Sequence, residues 1–203
     1  PFIAGDYLIV SEDESYYSHG AGFSADIRAM DTLNLNIDAR IMARENKDAS
    51  ILDGYRNRLS VNASYIASET TQIQVSSTVS TEETKTNIQN NRDYGLNISI
   101  NKTFKLPFNC SFEQPAFYCL KNLPLSAGLS FGGSFREYAG PNPTIDPDTT
   151  RNDYTFRFSP SLTIPAGETM AILLSGGLTR VDSNIPNSEY DNISVTVGIS
   201  KQF

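Results

Sequence analysis

Seven charged residues recur on alternate positions of segments that otherwise carry little charge: Asp26, Arg28, Asp38, Arg40, Arg58, Arg136 and Arg157. In an extended chain, alternate side chains share one face, so these groups can pair across strands, line a polar channel or meet an anion. Asp26/Arg28 and Asp38/Arg40 lie on consecutive segments, which predicts cross-strand ion pairs. The surplus of arginine, with Arg44 near a rim, predicts a lumen that favours polar or anionic solutes, because rings of charge set pore selectivity. The competing reading is that the charges neutralise one another and seal a narrow interior filled with side chains.

The elements that must hold these residues are strands. Period-2 alternation repeats along the chain, and it is clearest at the end, where Ile193, Val195, Val197 and Ile199 alternate with Ser194, Thr196, Gly198 and Ser200 before Phe203. Similar runs cover about 23–29, 33–41, 58–65, 72–79, 94–101, 123–132, 154–164 and 170–179, and Asp6-Tyr7-Leu8-Ile9-Val10 is a weaker tenth. Only 39% of residues are hydrophobic and the mean hydropathy is −0.31, with no apolar run of the ~18–20 residues a spanning helix needs. A spanning strand needs only every second residue to be apolar. The polar face is rich in Ser, Gly, Asn, Thr and Gln, which suits a crowded hydrated interior better than the Lys- and Glu-rich outer face of a soluble sandwich. The fold class expected is therefore all-β: an antiparallel up-and-down transmembrane β-barrel of about ten strands, either complete or the C-terminal part of a larger one. It forms one domain over 1–203.

Connection lengths support up-and-down topology. Tight turns at Met30-Asp31-Thr32, Ser68-Glu69-Thr70 and Ala166-Gly167-Glu168 alternate with long polar connections at about 11–20, 44–57, 81–93, 139–153 and 182–191. One connection on the tight-turn side, about 105–122, is long and apolar. It carries Phe108, Phe112, Phe117 and Tyr118, and two cysteines, Cys110 and Cys119. In an oxidising compartment a local disulfide is favoured over two free thiols. The segment reads either as a plug, rim or subunit contact, or as a longer turn with ordinary anchoring. Pro160 interrupts a strand pattern and calls for a bulge, an edge or a bend.

The run from Ile193 to Phe203, apolar on alternate residues and ending in Phe, resembles the C-terminal strand of Gram-negative outer-membrane β-barrel proteins. The resemblance implies that Ile193, Val195, Val197, Ile199 and Phe203 form the signal read by the barrel assembly machinery, with Phe203 on the periplasmic side and the long loops outside. Lys201 departs from the pattern, and a lysine there can snorkel to headgroups. A narrower likeness, carried by Arg180-Val181-Asp182-Ser183-Asn184 and Tyr190-Asp191, is similar to the barrel ends of surface lipoprotein assembly modifiers and related tetratricopeptide-bearing proteins. Those barrels have more strands and follow a helical repeat domain.

These readings predict a bacterial outer-membrane transport pore for small polar or anionic solutes. The alternatives are an export or surface-assembly barrel working with a periplasmic repeat domain or partner, and a structural or adhesive barrel acting through its loops. Outer-membrane lipid and lipopolysaccharide are the expected surroundings, and 105–122 is the expected contact for a periplasmic or neighbouring subunit. A net charge of −7 argues against nucleic acid. Glu12-Asp13-Glu14 followed by Tyr16, Tyr17 and His19 reads as a solvated loop, with binding of Ca²⁺ or of lipopolysaccharide phosphates through divalent ions as the alternative. His19 is the sole histidine, so neither a zinc site nor the rim Asp and His set of the ten-stranded omptin proteases is in view. No metal, cofactor or enzymatic activity is expected. A chain that starts Pro1-Phe2-Ile3 reads as mature or trimmed.

Overall fold

The computed structural model describes residues 2–13, 16–46, 53–105, 124–165 and 170–201. They form one antiparallel sheet of ten strands in chain order: β1 (Phe2–Asp13), β2 (Tyr16–Met30), β3 (Leu33–Asn46), β4 (Gly54–Ser68), β5 (Thr71–Thr84), β6 (Asn91–Lys105), β7 (Pro124–Tyr138), β8 (Asn152–Pro165), β9 (Met170–Ser183) and β10 (Tyr190–Lys201). Every strand pairs with the next, as up-and-down alternation predicts. Among the described residues no pairing joins β1 to β10, so the sheet is open.

Two expected tight turns are present at 31–32 and 69–70. Each is followed across the sheet by a neighbour that caps it: Ile66 N donates to Thr32 O at 2.8 Å, and Thr103 N to Thr70 O at 2.8 Å. The expected turn at 166–168, Phe203, and residues 106–122 with both cysteines lie outside the described residues. One expectation is corrected. The stretch 11–20 is not a loop: β1 runs to Asp13 and β2 starts at Tyr16, with Glu12 opposite Tyr17 and Asp13 opposite Tyr16. Backbone pairing there prevails over the high local charge, which had suggested a solvated loop.

The period-2 faces hold through the pairing. One face carries Phe23, Ile37, Val61, Val75, Leu96, Phe131 and Phe156, and the other carries Ser24, Asp38, Asn62, Ser76, Asn97 and Ser130. The sheet curls with the polar face inside. A single cavity of about 610 Å³ touches five consecutive strands, β2 to β6, on that face, and flat strands ~4.8 Å apart would spread those residues over roughly 19 Å. Curling crowds the inner face, which explains the glycine there. A Cβ on Gly128 would lie 2.5 Å from Ser161 Oγ and 2.6 Å from Asn101 Oδ1, from the strands on either side.

Pro160 lies inside β8, which stays continuous. Its missing N–H falls at a gap in the β8–β9 ladder, between Phe158↔Leu178 and Ser161↔Ser175. A Cβ on the adjacent Gly176 would come within 3.2 Å of the Pro160 ring. The proline is thus tolerated by a local lapse in pairing and a glycine neighbour.

There is no core. Ala25, Val181 and Ile185 are the buried hydrophobic residues among those described, and the accessible surface is 14393 Å². A compact 22.3 kDa protein would expose about 9,400 Å². Along β7 the apolar positions from Leu125 to Phe135 run roughly 34 Å at ~3.4 Å per residue, or roughly 26 Å high after a tilt of ~40°. That matches the ~25 Å apolar band of a membrane barrel.

The register is staggered against this band. The paired row that starts mid-band at Ile37 passes through Val61, Ser77, Leu96, Gly133 and Phe156, then leaves the band at Arg180 and Asp191. The apolar band stays level while paired rows climb through it, as the stagger of tilted barrel strands requires. Tyr94, Phe135 and Tyr154 lie side by side at the band's long-loop border, with the latter two ring centroids 4.8 Å apart. Such a row is what one arc of a membrane barrel's aromatic girdle would look like.

Placing a charge mid-band tests this orientation. Leu96→Arg is expected to cost ~2–4 kcal/mol of folding free energy in lipid vesicles, read by denaturant titration of tyrosine fluorescence. Ser99→Arg, on the polar face, should insert with little loss. Equal costs at the two positions would refute the assigned faces.

Candidate functional site

The polar face is layered, and pairing builds each layer by aligning like residues from different strands. One row crosses the sheet as Asp26, Asn36, Asn62, Ser76, Asn97, Gly132, Arg157, Thr179 and Asn192. Its amides are chained. Asn62 Nδ2 donates to Asn36 Oδ1 at 3.2 Å, and Asn36 Nδ2 donates to Asp26 Oδ1 at 2.8 Å. Ser130 Oγ donates to Asn97 Oδ1 at 2.9 Å. Four residues nearer the long loops lies a charged row: Arg40, Arg58, Ser80, Asp93, Arg136 and Asp153.

The charged row is tightest between β6 and β8. Arg136 donates through Nε at 2.9 Å and Nη2 at 2.6 Å to Asp93 Oδ2. Arg151, just before β8, grips Asp153 with both arms: Nε to Oδ1 at 2.8 Å and Nη2 to Oδ2 at 2.7 Å. The Arg151 guanidinium lies 5.0 Å from the Tyr138 ring centroid. Its pKa is raised, chiefly by the hydrogen bond to Asp153, with burial opposing. On the β3–β5 side Glu82 serves two cations, Arg56 at 2.9 Å and Arg44 at 3.6 Å. Arg44 reaches over β4 at Gly54, its pairing partner, where an added Cβ would strike the backbone carbonyl of Glu83.

All seven charged residues singled out in the sequence lie on the polar face, but the partners expected for four of them are corrected. Asp26/Arg28 and Asp38/Arg40 do not pair across β2 and β3. Register sets Asp26 opposite Asn36, Arg28 opposite Asn34 and Asp38 opposite Ser24. Arg40 instead meets Asp38 on its own strand, Nε to Oδ1 at 2.9 Å, and Arg28 turns to Asp31 at 3.2 Å. Arg58 donates Nε to Ser60 Oγ at 3.2 Å. Among the described residues, neither Arg58 nor Arg157 has an acidic partner.

Sequence reading missed Arg56, Glu82, Asp93, Arg151 and Asp153. The available signal was parity: Glu82 continues Ser76–Thr78–Ser80, and Asp93 precedes Gly95 and Asn97, two residues beyond where apolar alternation fades. Among the described residues no group of three or more His, Cys, Asp or Glu is placed to hold a metal.

No family model matches the chain, and no curated protein matches it. Two solved structures are similar over 99% of it. FauA, the alcaligin outer-membrane receptor of Bordetella pertussis, is 11% identical with a TM-score of 0.47. LpxR from Salmonella typhimurium is 13% identical with a TM-score of 0.38. The chain spans 38% of the length of FauA and 82% of LpxR. Scores this low carry neither activity nor ligand to the present chain. The expectation that the chain has no enzymatic activity is withdrawn, because neither an antiparallel sheet of this kind nor likenesses this distant exclude one.

Asp153 is buried, with its side chain 7% exposed, and Arg151 is 32% exposed. Asp153→Ala is expected to cost about 1–3 kcal/mol, because it strips a half-buried arginine of its acceptor. Asp182→Ala, which breaks an exposed pair with Arg180, should stay within roughly 0.5 kcal/mol. Comparing the two variants' unfolding midpoints in detergent checks the contrast. In the 139–151 connection, the Asp146 carboxyl accepts from Asp148 N at 3.0 Å. That bond, with the Thr149 hydroxyl, lowers its pKa. A lowered folded pKa stabilises above the unfolded value of ~3.9 and is lost as pH falls through the folded one. Amide exchange at Asp148 should therefore be flat from about pH 5 to 8 and quicken, relative to an unstructured reference, only below about pH 4.

Proposed function

We propose that the chain forms the wall of an outer-membrane β-barrel whose polar interior passes small polar or anionic solutes. The observation that carries this reading is the division of the two faces. One face is apolar over the height of a bilayer's hydrocarbon. The other is a continuous surface of hydroxyl, amide and charged groups extending from the tight turns to the long loops. Within that surface Arg28, Arg40 and Arg136 have acidic partners, which reduces the positive surplus inferred from sequence. Arg58 on β4 and Arg157 on β8 supply what remains, and they give the passage its anion preference. In this reading the tight turns face the periplasm and the long loops face outward, with lipid against Tyr94, Phe135 and Tyr154.

Single-channel recording in planar bilayers tests the proposal. Discrete conductance with a reversal potential favouring anions is expected, and the joint change Arg58→Glu and Arg157→Glu should shift that preference toward cations. A folded, inserted protein without conductance would sink the pore reading. Conductance that keeps its selectivity in the double variant would remove these two arginines from it.

A further inference from the structure

We infer that the tight-turn half of the polar face holds a subsite for a neutral polyhydroxylated solute of saccharide type; this rests on the pore reading and narrows its cargo. The cavity of about 610 Å³ is built from β2 to β6, each strand paired with the next, so the register of its lining does not depend on how β1 and β10 are covered. A volume of this order suits a ligand of several rings.

The chemistry of the lining selects the class. Its polar side chains are mostly amides and hydroxyls, among them Asn34, Asn36, Asn62, Ser64, Gln74 and Asn97. Asp26 and Arg28 are the two ionisable residues of the lining, and both are engaged. Arg28 is drawn toward Asp31 at 3.2 Å, and Asp26 accepts from Asn36 at 2.8 Å. An anion entering here would meet the Asp26 carboxylate with no free cation facing it. An apolar solute would leave the amides unpaired, at ~1–3 kcal/mol for each group desolvated.

A polyol satisfies both demands. Each sugar hydroxyl donates one hydrogen bond and accepts others, and each side-chain amide offers two donor hydrogens and an acceptor oxygen. The chain Asn62→Asn36→Asp26 uses one donor hydrogen of each amide. That leaves the second hydrogen of Asn36 and Asn62 and the other oxygen of Asp26 for ligand. Because these groups stand on one hydrogen-bonded row, they repeat at the spacing of neighbouring strands, ~4.8 Å, and so can meet several hydroxyls of one ligand.

The test uses the full chain folded in detergent micelles, with maltotriose as probe, inorganic phosphate as the anionic comparison, and isothermal titration as readout. Maltotriose should bind with a dissociation constant in the millimolar range, and phosphate should not compete. The joint change Asn36→Leu and Asn62→Leu should weaken binding at least tenfold. If that variant fails to fold, Asn36→Ala alone, which removes the donor to Asp26, should weaken it by a smaller but measurable factor. No heat of binding to the folded protein, affinity unchanged by the variants, or displacement by phosphate would each overturn the subsite. Parallel bilayer recordings separate the two proposals. Conductance without maltotriose binding defeats the subsite alone, and binding without conductance defeats the pore alone.

Discussion

Strict alternation of side chains on a single paired sheet is the constraint from which the remaining features follow. The described residues make one layer of ten strands with no second layer to bury against, so each face must find its own solvent. The outer face of this sheet is apolar across a height close to that of hydrocarbon, and the inner face is almost wholly polar. A one-residue slip in any ladder would exchange the two faces of that strand, carrying Asn97 or Arg136 into the apolar band. Register is therefore specified by the environment on both sides.

Curvature follows from the same arrangement. Rolling the sheet with the polar face inward brings neighbouring inner side chains together, and the glycines at Gly128 and Gly132 make room for them. The freed space is taken by long reaches such as Arg44 to Glu82 and by amide chains. The polar face thus consists of rows rather than scattered polar residues: an amide row that also includes Arg157 and, nearer the loops, a charged row in which Arg40 and Arg136 already hold an acid. On the proposed pore reading, selectivity belongs to Arg58 and Arg157, which have no acidic partner among the described residues.

The open edges bear on how the sheet is completed. On β10, Ile193, Val195, Val197 and Ile199 are 68–80% exposed, whereas Tyr94, Leu96, Ile98 and Ile100 on interior strand β6 are 40–52% exposed. The difference reflects the neighbour that β6 has on each side and β10 has on one. Inside hydrocarbon an unpaired strand edge costs several kcal/mol for each unsatisfied backbone group, so the membrane reading requires a partner for both β1 and β10.

Strand class, strand number and the two faces were legible in the sequence, because period-2 alternation is a property of the chain itself and needs no knowledge of neighbours. The tight turns at 31–32 and 69–70 were legible too, since their lengths leave little else possible. The 11–20 stretch was not, because its acidic residues suggested a loop while the gain from pairing β1 with β2 is non-local. The ion pairs were illegible for the same reason. Asp26/Arg28 and Asp38/Arg40 sit on consecutive strands and so suggested cross-strand pairs, but register, set by turn length and by two neighbours at once, gave Asp26 to Asn36 and left Arg40 with Asp38. The sequence alone determined what each face is made of; only the tertiary pairing decided which side chains meet, because a contact between strands depends on their relative stagger, and that is fixed by the whole sheet.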